Sequence, residues 1–330
     1  MKKIVSLAVA CLLLVTFAGC SETDSKTKAE RITIVLDWAP NTNHTGIFVA
    51  QAKGYFEQAG LEVEIVQPPE GDAVTLVGSG KAQFGVSFQD SLAPAFIGDI
   101  IPVTAVAAVI QHNTSGIISR AGEGMDTPKG LEGKKYATWD LDVEKETIRD
   151  VMAADGGNFD LVELIPSTVS DEVSALKSRS VDAIWIFYGW AGVACQVAGL
   201  ETDYFEFADI DPVFDYYTPV IVGNNDWLSK NPDAAKAFVA ALSKGYTFAA
   251  QNPKEAADIL MDAAPELKSN SALVYASQEY LADEYISDAK RWGEFDPERW
   301  SAFFTWLNDN NLLESRIDPN YGFTNDYLPN

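Results

Sequence analysis

The stretch LDWAPNTNHTGIFVA, residues 36 to 50, brings aromatic, carboxylate, amide and imidazole side chains together. One of the 8 tryptophans of the chain stands here beside one of its only 2 histidines. The residues concerned are Asp37, Trp38, Asn41 and His44. An aromatic face can stack on a flat ring, while carboxylate and amide groups can bond ring nitrogens and amino groups at its edge. The segment therefore predicts one wall of a binding site for a small, flat, polar molecule.

Similar side chains flank three other apolar runs. Gln89 and Asp90 follow AQFGVSF, Tyr188 and Trp190 follow VDAIWIF, and Tyr216 precedes TPVIVG. If these runs are strands of open α/β sheets, ligands bind at their carboxyl ends. We therefore predict that all these side chains line one cleft.

Each of these residues also has a structural alternative. Trp38 and Tyr188 could be packing aromatics, and His44 could cap a helix or bond a backbone carbonyl. Asp90, which precedes a serine, could equally be a helix N-cap. Tyr216 and its neighbour Tyr217 cannot both face one cleft from an extended segment, because adjacent side chains point to opposite sides.

The elements that would position these residues alternate along the chain. Strands are predicted at residues 31–36, 61–66, 82–88, 102–110, 134–139, 160–165, 181–187 and 218–223. Helical patterns occupy residues 46–60, 143–157 and 171–180, and the chain after residue 223 is almost wholly helical. Continuous apolar strands separated by helices favour parallel sheets with helices on both faces, so the predicted fold class is α/β.

A chain of 330 residues is longer than a single hydrophobic core normally supports, so two lobes are expected. The best candidate breaks are a segment at 121–130 with three glycines and a proline, and the segment VGNNDW at 222–227. We therefore predict lobe 1 from residues 31–120 and 223–330, and lobe 2 from residues 121–222. The chain would cross between the lobes twice.

The N-terminal region is predicted to export and anchor the chain. Residues 1–19 join two lysines to an apolar run that ends in small residues, as a secretory signal does. The sequence FAGC ending at Cys20 resembles the lipobox of bacterial lipoproteins, which implies a lipid on Cys20. A plain signal peptide with an incidental cysteine is the alternative. Residues 20–30 are polar and without periodicity, as expected of a flexible tether on the outer side of the membrane.

Composition argues against several other functions. A net charge of -24 repels phosphate backbones, so nucleic acid is not expected to be a partner. Of the 3 cysteines, Cys11 lies in the signal and Cys20 would carry lipid, which leaves Cys195 alone. A disulfide within the folded chain is then impossible, a Cys/His metal site is disfavoured, and no cofactor is predicted.

Five motifs together carry a resemblance to a known family. They are LDWAPNTNHTGIFVAQAKGYFEQAGLEVEIV, LVGSGKAQFGVSFQD, MDTPKGLEGKKYATWD, VDAIWIFYGW and FDYYTPVIVGNNDW. Over roughly residues 31 to 310, the chain resembles the substrate-binding lipoproteins for thiamine pyrimidine precursors. These belong to the periplasmic-binding-protein superfamily of ABC importers and are related to the fungal thiamine pyrimidine synthases.

The resemblance implies a type II periplasmic-binding-protein fold of two lobes with two crossovers and a helical C-terminal segment. It also implies that a monomeric protein captures a planar aminopyrimidine by lobe closure and delivers it to a permease with a cytoplasmic ATPase. In the pyrimidine-binding relatives an acidic residue often follows the Gly-Trp of one loop, whereas Ala191 follows Trp190 here. Another heterocycle such as riboflavin, or a sulfonate, therefore stays open as the ligand.

An enzyme is the alternative class of protein, because the fungal relatives synthesise the pyrimidine. The resemblance associates that activity with pyridoxal phosphate on a lysine and with a cysteine-rich motif. No lysine occurs between Lys81 and Lys129, and Cys195 has no cysteine neighbour. Because the amine that would form the Schiff base is missing there, a binding protein is favoured.

Overall fold

The computed structural model describes residues 29–68, 73–97, 100–167 and 169–330. The predicted signal, the lipidation site Cys20 and most of the predicted tether lie outside these residues. Within the described ranges, no helix combines the length and apolar character that a membrane span requires. In the same ranges, no cluster of three or more histidine, cysteine or acidic side chains is arranged to hold a metal ion.

Ten strands in the described chain form two sheets of five, and each sheet is the centre of one lobe. The strands are β1 (Glu30–Val35), β2 (Leu61–Val66), β3 (Phe84–Ser87), β4 (Val103–Ala108), β5 (Ser115–Arg120), β6 (Lys135–Thr138), β7 (Glu163–Pro166), β8 (Ala183–Phe187), β9 (Thr202–Glu206) and β10 (Val220–Asn224). The first sheet has the strand order β2-β1-β3-β10-β4, and the second has the order β7-β6-β8-β5-β9. The chain therefore passes between lobes twice, once after β4 and once after β9.

Both sheets are mixed, which corrects the predicted parallel sheets. β10 runs antiparallel to β3 and β4, and β5 runs antiparallel to β8 and β9. These are the first strands after each crossover. Because each arrives from the opposite lobe, it enters its sheet from the edge that faces the cleft.

The described chain contains thirteen α-helices, which cover the faces of the two sheets. They are α1 (Thr45–Ala52), α2 (Tyr55–Gln58), α3 (Ala73–Gly78), α4 (Gln89–Ile97), α5 (Asp142–Ala154), α6 (Glu172–Ser178), α7 (Val193–Val197), α8 (Phe207–Ile210), α9 (Asn225–Lys230), α10 (Pro232–Gln251), α11 (Pro253–Ala263), α12 (Ser271–Glu284) and α13 (Pro297–Asp309). One apolar cluster joins α1 to α10, α11 and α12, and a second joins α3 and α4 to α13. The returning C-terminal chain thus completes lobe 1.

Helix α10 illustrates how the sequence specifies this packing. Pro232 occupies its first turn, where the missing N–H costs no hydrogen bond. Phe238, Leu242 and Tyr246 recur at helical spacing and are fully buried. A Cβ atom on Gly245 would lie 2.0 Å from the carbonyl oxygen of Gly46, so glycine is required for α10 to approach α1 this closely.

Strand membership moves the lobe boundaries away from the predicted ones. β5 belongs to the second sheet, so the chain leaves lobe 1 before Ser115 rather than at residue 121. Phe214 packs in the core of lobe 2, whereas Tyr216 packs in the core of lobe 1. We therefore propose that lobe 1 comprises residues 29–110 and 216–330, and that lobe 2 comprises residues 115–214.

The two crossovers are tied together by a charged cluster. His112 Nδ1 lies 2.8 Å from Asp215 Oδ2, and His112 Nε2 lies 3.1 Å from Asp288 Oδ1. Arg299 Nε lies 3.5 Å from the same Asp215 oxygen. The hydrogen bond to Asp215 raises the pKa of His112, against an opposing effect of burial. The neighbouring carboxyl of Glu206 has a pKa raised to about 7, mainly by burial.

Candidate functional site

The turn after β1 presents an aromatic ring beside a carboxylate. Trp38 is 71 % exposed, so its indole face is open to a ligand. Asp37 is largely buried, and its Oδ1 lies 2.5 Å from His44 Nε2. An exposed aromatic ring and a carboxylate thus lie close together in sequence after the carboxyl end of this strand.

His44 orients this carboxylate. Its ring is fully buried, and its Nδ1 accepts a hydrogen bond of 3.2 Å from the backbone N–H of Asn41. Because Nδ1 accepts, the ring proton lies on Nε2 and is donated to Asp37. No ring nitrogen of His44 is left for a ligand, which corrects its predicted role as a contact.

Asn41 has a local structural role as well. Its side-chain oxygen accepts the backbone N–H of Asn43 at 2.9 Å, and so it caps the short 3-10 turn Thr42–His44. Its side-chain amide donates to the carbonyl of Ala39 at 3.2 Å. Asn41 and His44 therefore hold the shape of the turn that presents Asp37 and Trp38.

Gln89 is a structural residue rather than the predicted ligand contact. It is fully buried, and its Nε2 donates to the carbonyl of Trp300 at 2.8 Å. Its Oε1 accepts the backbone N–H of Tyr217 at 2.9 Å. The side chain thus joins the end of β3 to the returning chain and to α13, and both of its polar atoms are engaged.

Asp90, in the first turn of α4, keeps an oxygen without a protein partner. Its Oδ1 is inaccessible to solvent and accepts no hydrogen bond within the described chain. Burial raises the pKa of this carboxyl to about 6, although the backbone N–H groups of Asp90 and Ser91 favour the charged form. A buried acceptor of this kind is rare in folded proteins, so Asp90 has the capacity to accept a ligand N–H.

The loop after β8 joins the two lobes. Residues Tyr188–Gly192 form one π-helical turn, and the ring of Tyr188 lies 5.3 Å from that of Tyr280 on α12. Trp190 packs against the apolar cluster of lobe 1. Ser277 of α12 donates to the carbonyl of Gly189 and lies 2.6 Å from the hydroxyl of Thr42. Tyr188 and Trp190 therefore contribute to the lobe–lobe contact.

Ala191 belongs to the same turn but points elsewhere. It is 7 % exposed and packs with Leu176 and Ile186 in the core of lobe 2. An alanine is therefore suited to this position, and the side chain does not form a wall of the cleft.

Tyr216 is a core residue, which corrects its predicted role. Its ring stacks on Phe303 with centroids 4.0 Å apart, and it is 3 % exposed. Tyr217 is buried too, and its hydroxyl accepts the backbone N–H of Asp296 at 2.7 Å. Both tyrosines precede β10, so the alternation expected of a strand does not apply to them.

Sequence reasoning missed three aromatic residues at the carboxyl ends of strands. Phe88 follows β3, Trp139 follows β6, and Phe187 ends β8. Trp139 and Phe187 are 42 % and 39 % exposed. The strand-end rule applied to Trp38 would also have found them.

A single buried carboxylate fixes the loop that carries Trp139. Glu144 accepts hydrogen bonds from the hydroxyls of Tyr136 at 2.6 Å and of Thr138 at 3.1 Å. It also accepts the backbone N–H groups of Trp139 at 3.1 Å and of Leu141 at 3.2 Å. Because both ends of the loop are held, the indole of Trp139 stays 5.8 Å from that of Trp185.

Comparison with known families agrees with this architecture. The family described as NMT1/THI5 like matches residues 41–256. The chain belongs to this family. Among relatives of this NMT1/THI5-like protein, the formylaminopyrimidine-binding protein of Halalkalibacterium halodurans is 27% identical, covering 96% of each chain. The 4-amino-5-hydroxymethyl-2-methylpyrimidine phosphate synthase of Uromyces fabae is 24% identical, covering 80% of this chain and 81% of its own.

Solved structures show the same fold at lower identity. The periplasmic aliphatic sulphonate binding protein SsuA of Escherichia coli superposes on this NMT1/THI5-like chain with a TM-score of 0.69 at 14% identity, covering 89% of this chain and 97% of its own. The ligand binding component of an ABC-type import system from Staphylococcus aureus gives a TM-score of 0.65 at 15% identity, covering 90% and 98%. The α/β periplasmic-binding-protein fold with a helical C-terminal region is thereby confirmed.

Proposed function

We propose that this protein is the extracytoplasmic solute-binding component of an ABC importer and that it captures an aminopyrimidine precursor of thiamine. One observation carries the choice of ligand. The formylaminopyrimidine-binding protein matches this chain over 96% of both sequences, whereas the sulphonate-binding protein is alike in fold at 14% identity. Riboflavin and sulfonates therefore become control ligands.

The cleft has the chemistry that such a ligand needs. A flat, uncharged ring offers two faces for stacking and N–H groups at its edge for acceptors. Trp38 supplies an exposed indole, and Asp37 and Asp90 supply carboxylate oxygens. A ligand held by both lobes favours the closed state through the extra contacts made there.

Closure would then present both lobes to a membrane permease, whose cytoplasmic ATPase drives uptake. Tyr188 and Trp190 contribute to the lobe contact, and Asn41 and His44 support the first wall. For the segments outside the described residues, we propose that signal cleavage leaves a lipid on Cys20 and that residues 20–28 tether the protein to the membrane.

We propose binding without catalysis. Ser87 ends β3 and is buried, and the two residues after it are Phe88 and Gln89, so this strand end offers no amine for a Schiff base. Cys195 is buried within lobe 2, and burial is the main factor that raises the pKa of its thiol to about 11. Neither position supplies an activated nucleophile.

The test is calorimetric titration of the chain from residue 29 onward. The titrants are formylaminopyrimidine, 4-amino-5-hydroxymethyl-2-methylpyrimidine, riboflavin and an alkanesulfonate. We expect one-to-one binding of a pyrimidine with a Kd of about a micromolar or below, and binding at least tenfold weaker for the controls. Tighter binding of riboflavin or the sulfonate would refute the ligand assignment.

A further inference from the structure

Two phenylalanines, one from each lobe, lie next to each other with nearly parallel rings. Phe88 follows β3 in lobe 1, and Phe187 ends β8 in lobe 2. Their ring centroids are 6.5 Å apart and their planes differ by 14°. Phe187 is 39 % exposed and Phe88 is half-buried, so both rings border open space as well as each other.

The two rings are nearly parallel, as the outer rings of a three-ring stack would be. Stacked carbon atoms rest at about 3.5 Å, so a flat ring between two others needs about 7 Å between the outer ones. The centroid distance of 6.5 Å is an upper limit on the separation of the two ring planes, so the rings must move apart to admit another ring. Because the two residues belong to different lobes, opening of the cleft would provide the space.

Two polar atoms that have no hydrogen-bond partner among the described residues belong to residues close to Phe88 and Phe187, one of them along the chain and the other in the neighbouring strand. Ser115 is directly opposite Phe187 in the β5–β8 register, so the two side chains share one face of the sheet. The Oγ of Ser115 is buried and makes no hydrogen bond to the described residues. Asp90, whose Oδ1 is also unpartnered, follows Phe88 by two positions. An acceptor in lobe 1 and a hydroxyl in lobe 2 thus have no partner within the described chain, and each is close to one of the two phenylalanines in the chain or in the sheet.

We infer that Phe88 and Phe187 form a slot that takes the ring of a planar nitrogen heterocycle, with Asp90 and Ser115 bonding the edge of that ring. This inference deepens the proposed function, because it names the residues that hold the ring. Stacking in this slot engages both lobes at once, whereas Trp38 belongs to lobe 1 alone. The slot therefore couples occupation of the site to the distance between the lobes.

The alternative is that the two phenylalanines are only a lobe–lobe contact. Affinity alone does not separate the two roles, because loss of such a contact would also disfavour the closed state. The chemical shift of a methyl group on the ligand ring does separate them. A methyl group held near the faces of two phenyl rings is shifted upfield, and this shift depends on the rings themselves.

The experiment measures Kd by calorimetry and methyl proton shifts by NMR for wild type, Phe88→Leu and Phe187→Leu. The probes are 4-amino-5-hydroxymethyl-2-methylpyrimidine and riboflavin, both flat and both with ring methyl groups. Tyr275→Leu, which removes an aromatic ring on the exposed surface of α12, is the matched control. For each slot variant we expect a Kd raised about 3- to 10-fold and a smaller upfield shift, with no change in the control.

The outcomes distinguish this inference from the proposed function. If the pyrimidine binds but neither slot variant changes its Kd or its methyl shift, the slot is wrong and the proposed function stands. If riboflavin binds with the expected dependence and the pyrimidine does not, the slot stands and the proposed ligand is wrong. If wild type binds neither compound, both are overturned.

Discussion

Replacement of Glu144 tests whether one buried carboxylate holds the Trp139 loop. Glu144 is 3 % exposed, and of its four donors the hydroxyls of Tyr136 and Thr138 are fully buried. In Glu144→Ala these two hydroxyls lose their acceptor away from water, at about 1–3 kcal/mol each. The two backbone donors belong to a more exposed loop and can bond water. Removal of a buried charge offsets part of the cost, so we expect the free energy of unfolding to fall by about 3 kcal/mol.

The assay is urea unfolding followed by circular dichroism, with the slope of the transition checked for constancy. Glu144→Gln retains one acceptor oxygen and should lose less, about 1–2 kcal/mol. Asp142→Ala is the control, since Asp142 lies in the first turn of the same helix but is 83 % exposed and pairs with Lys145 at 3.2 Å. Its effect should stay below about 1 kcal/mol. A loss in Glu144→Ala no larger than that in the control would refute this account of the loop.

Glu144→Gln also tests whether Glu144 affects ligand binding through Trp139. If Glu144 acts on the ligand only by positioning Trp139, then Glu144→Gln should weaken binding in wild type but not in a Trp139→Ala background. An equal loss of affinity in both backgrounds would mean that Glu144 acts through the rest of lobe 2.

Three other predictions follow from the site and the crossovers. Trp38→Ala should cost about 1–3 kcal/mol of affinity with no loss of stability, because the indole is 71 % exposed; an unchanged Kd in calorimetry would remove Trp38 from the site. Ser277→Ala removes the link to Gly189 and should raise the Kd about 2- to 5-fold, with a more open average shape in X-ray scattering; an unchanged shape would contradict this. Glu206, with its pKa raised to about 7, and His112, with its pKa also raised, both hold a proton more tightly when folded. The stability that each group contributes is complete at low pH and is lost as the pH rises. For Glu206 this loss extends from about pH 4.5 to about pH 7, and for His112 it begins above about pH 6.5. The melting temperature should therefore fall as the pH rises from about 5 to about 8. Glu206→Gln should flatten the lower part of this plot of melting temperature against pH, and His112→Asn should flatten the upper part. Plots parallel to that of wild type would contradict both assignments.

Periodicity identified the strands whose apolar residues either alternate or run continuously, and it missed two strands that have neither pattern. β2 occupies residues 61–66 as predicted, and β8 lies within 181–187. β5 was missed although it is buried throughout, because two serines, a glycine and an arginine interrupt its apolar character. β9 pairs only with β5 at the edge of its sheet and carries two acidic residues among five. Both strands were missed because their burial depends on the parts of the same chain that pack against them and not on their own sequence.

At the candidate site, the sequence predicted where strands end, but it did not predict which polar side chains lack a hydrogen-bond partner in the protein. Gln89 and Asp90 are adjacent and equally polar in sequence, yet the first is fully engaged by backbone groups and the second is not. The partners of Gln89 lie more than a hundred residues away, so no local pattern reveals them. The same limit applies to Ser115 and Phe187, whose proximity depends on the register of a strand that enters from the other lobe.

The discontinuity of lobe 1 has a consequence for the order in which the protein folds. Lobe 2 is one continuous segment and can fold once its own residues have emerged from the ribosome. In lobe 1, β10 lies between β3 and β4, so β4 has no neighbouring strand in its sheet until residue 220 arrives. Leu328 is part of the same apolar cluster as Ile34, so that core is complete only once Leu328 has been made. Lobe 1, which begins first in the sequence, is therefore completed after lobe 2, and its early strands need protection from aggregation until β10 and the C-terminal helices have been made.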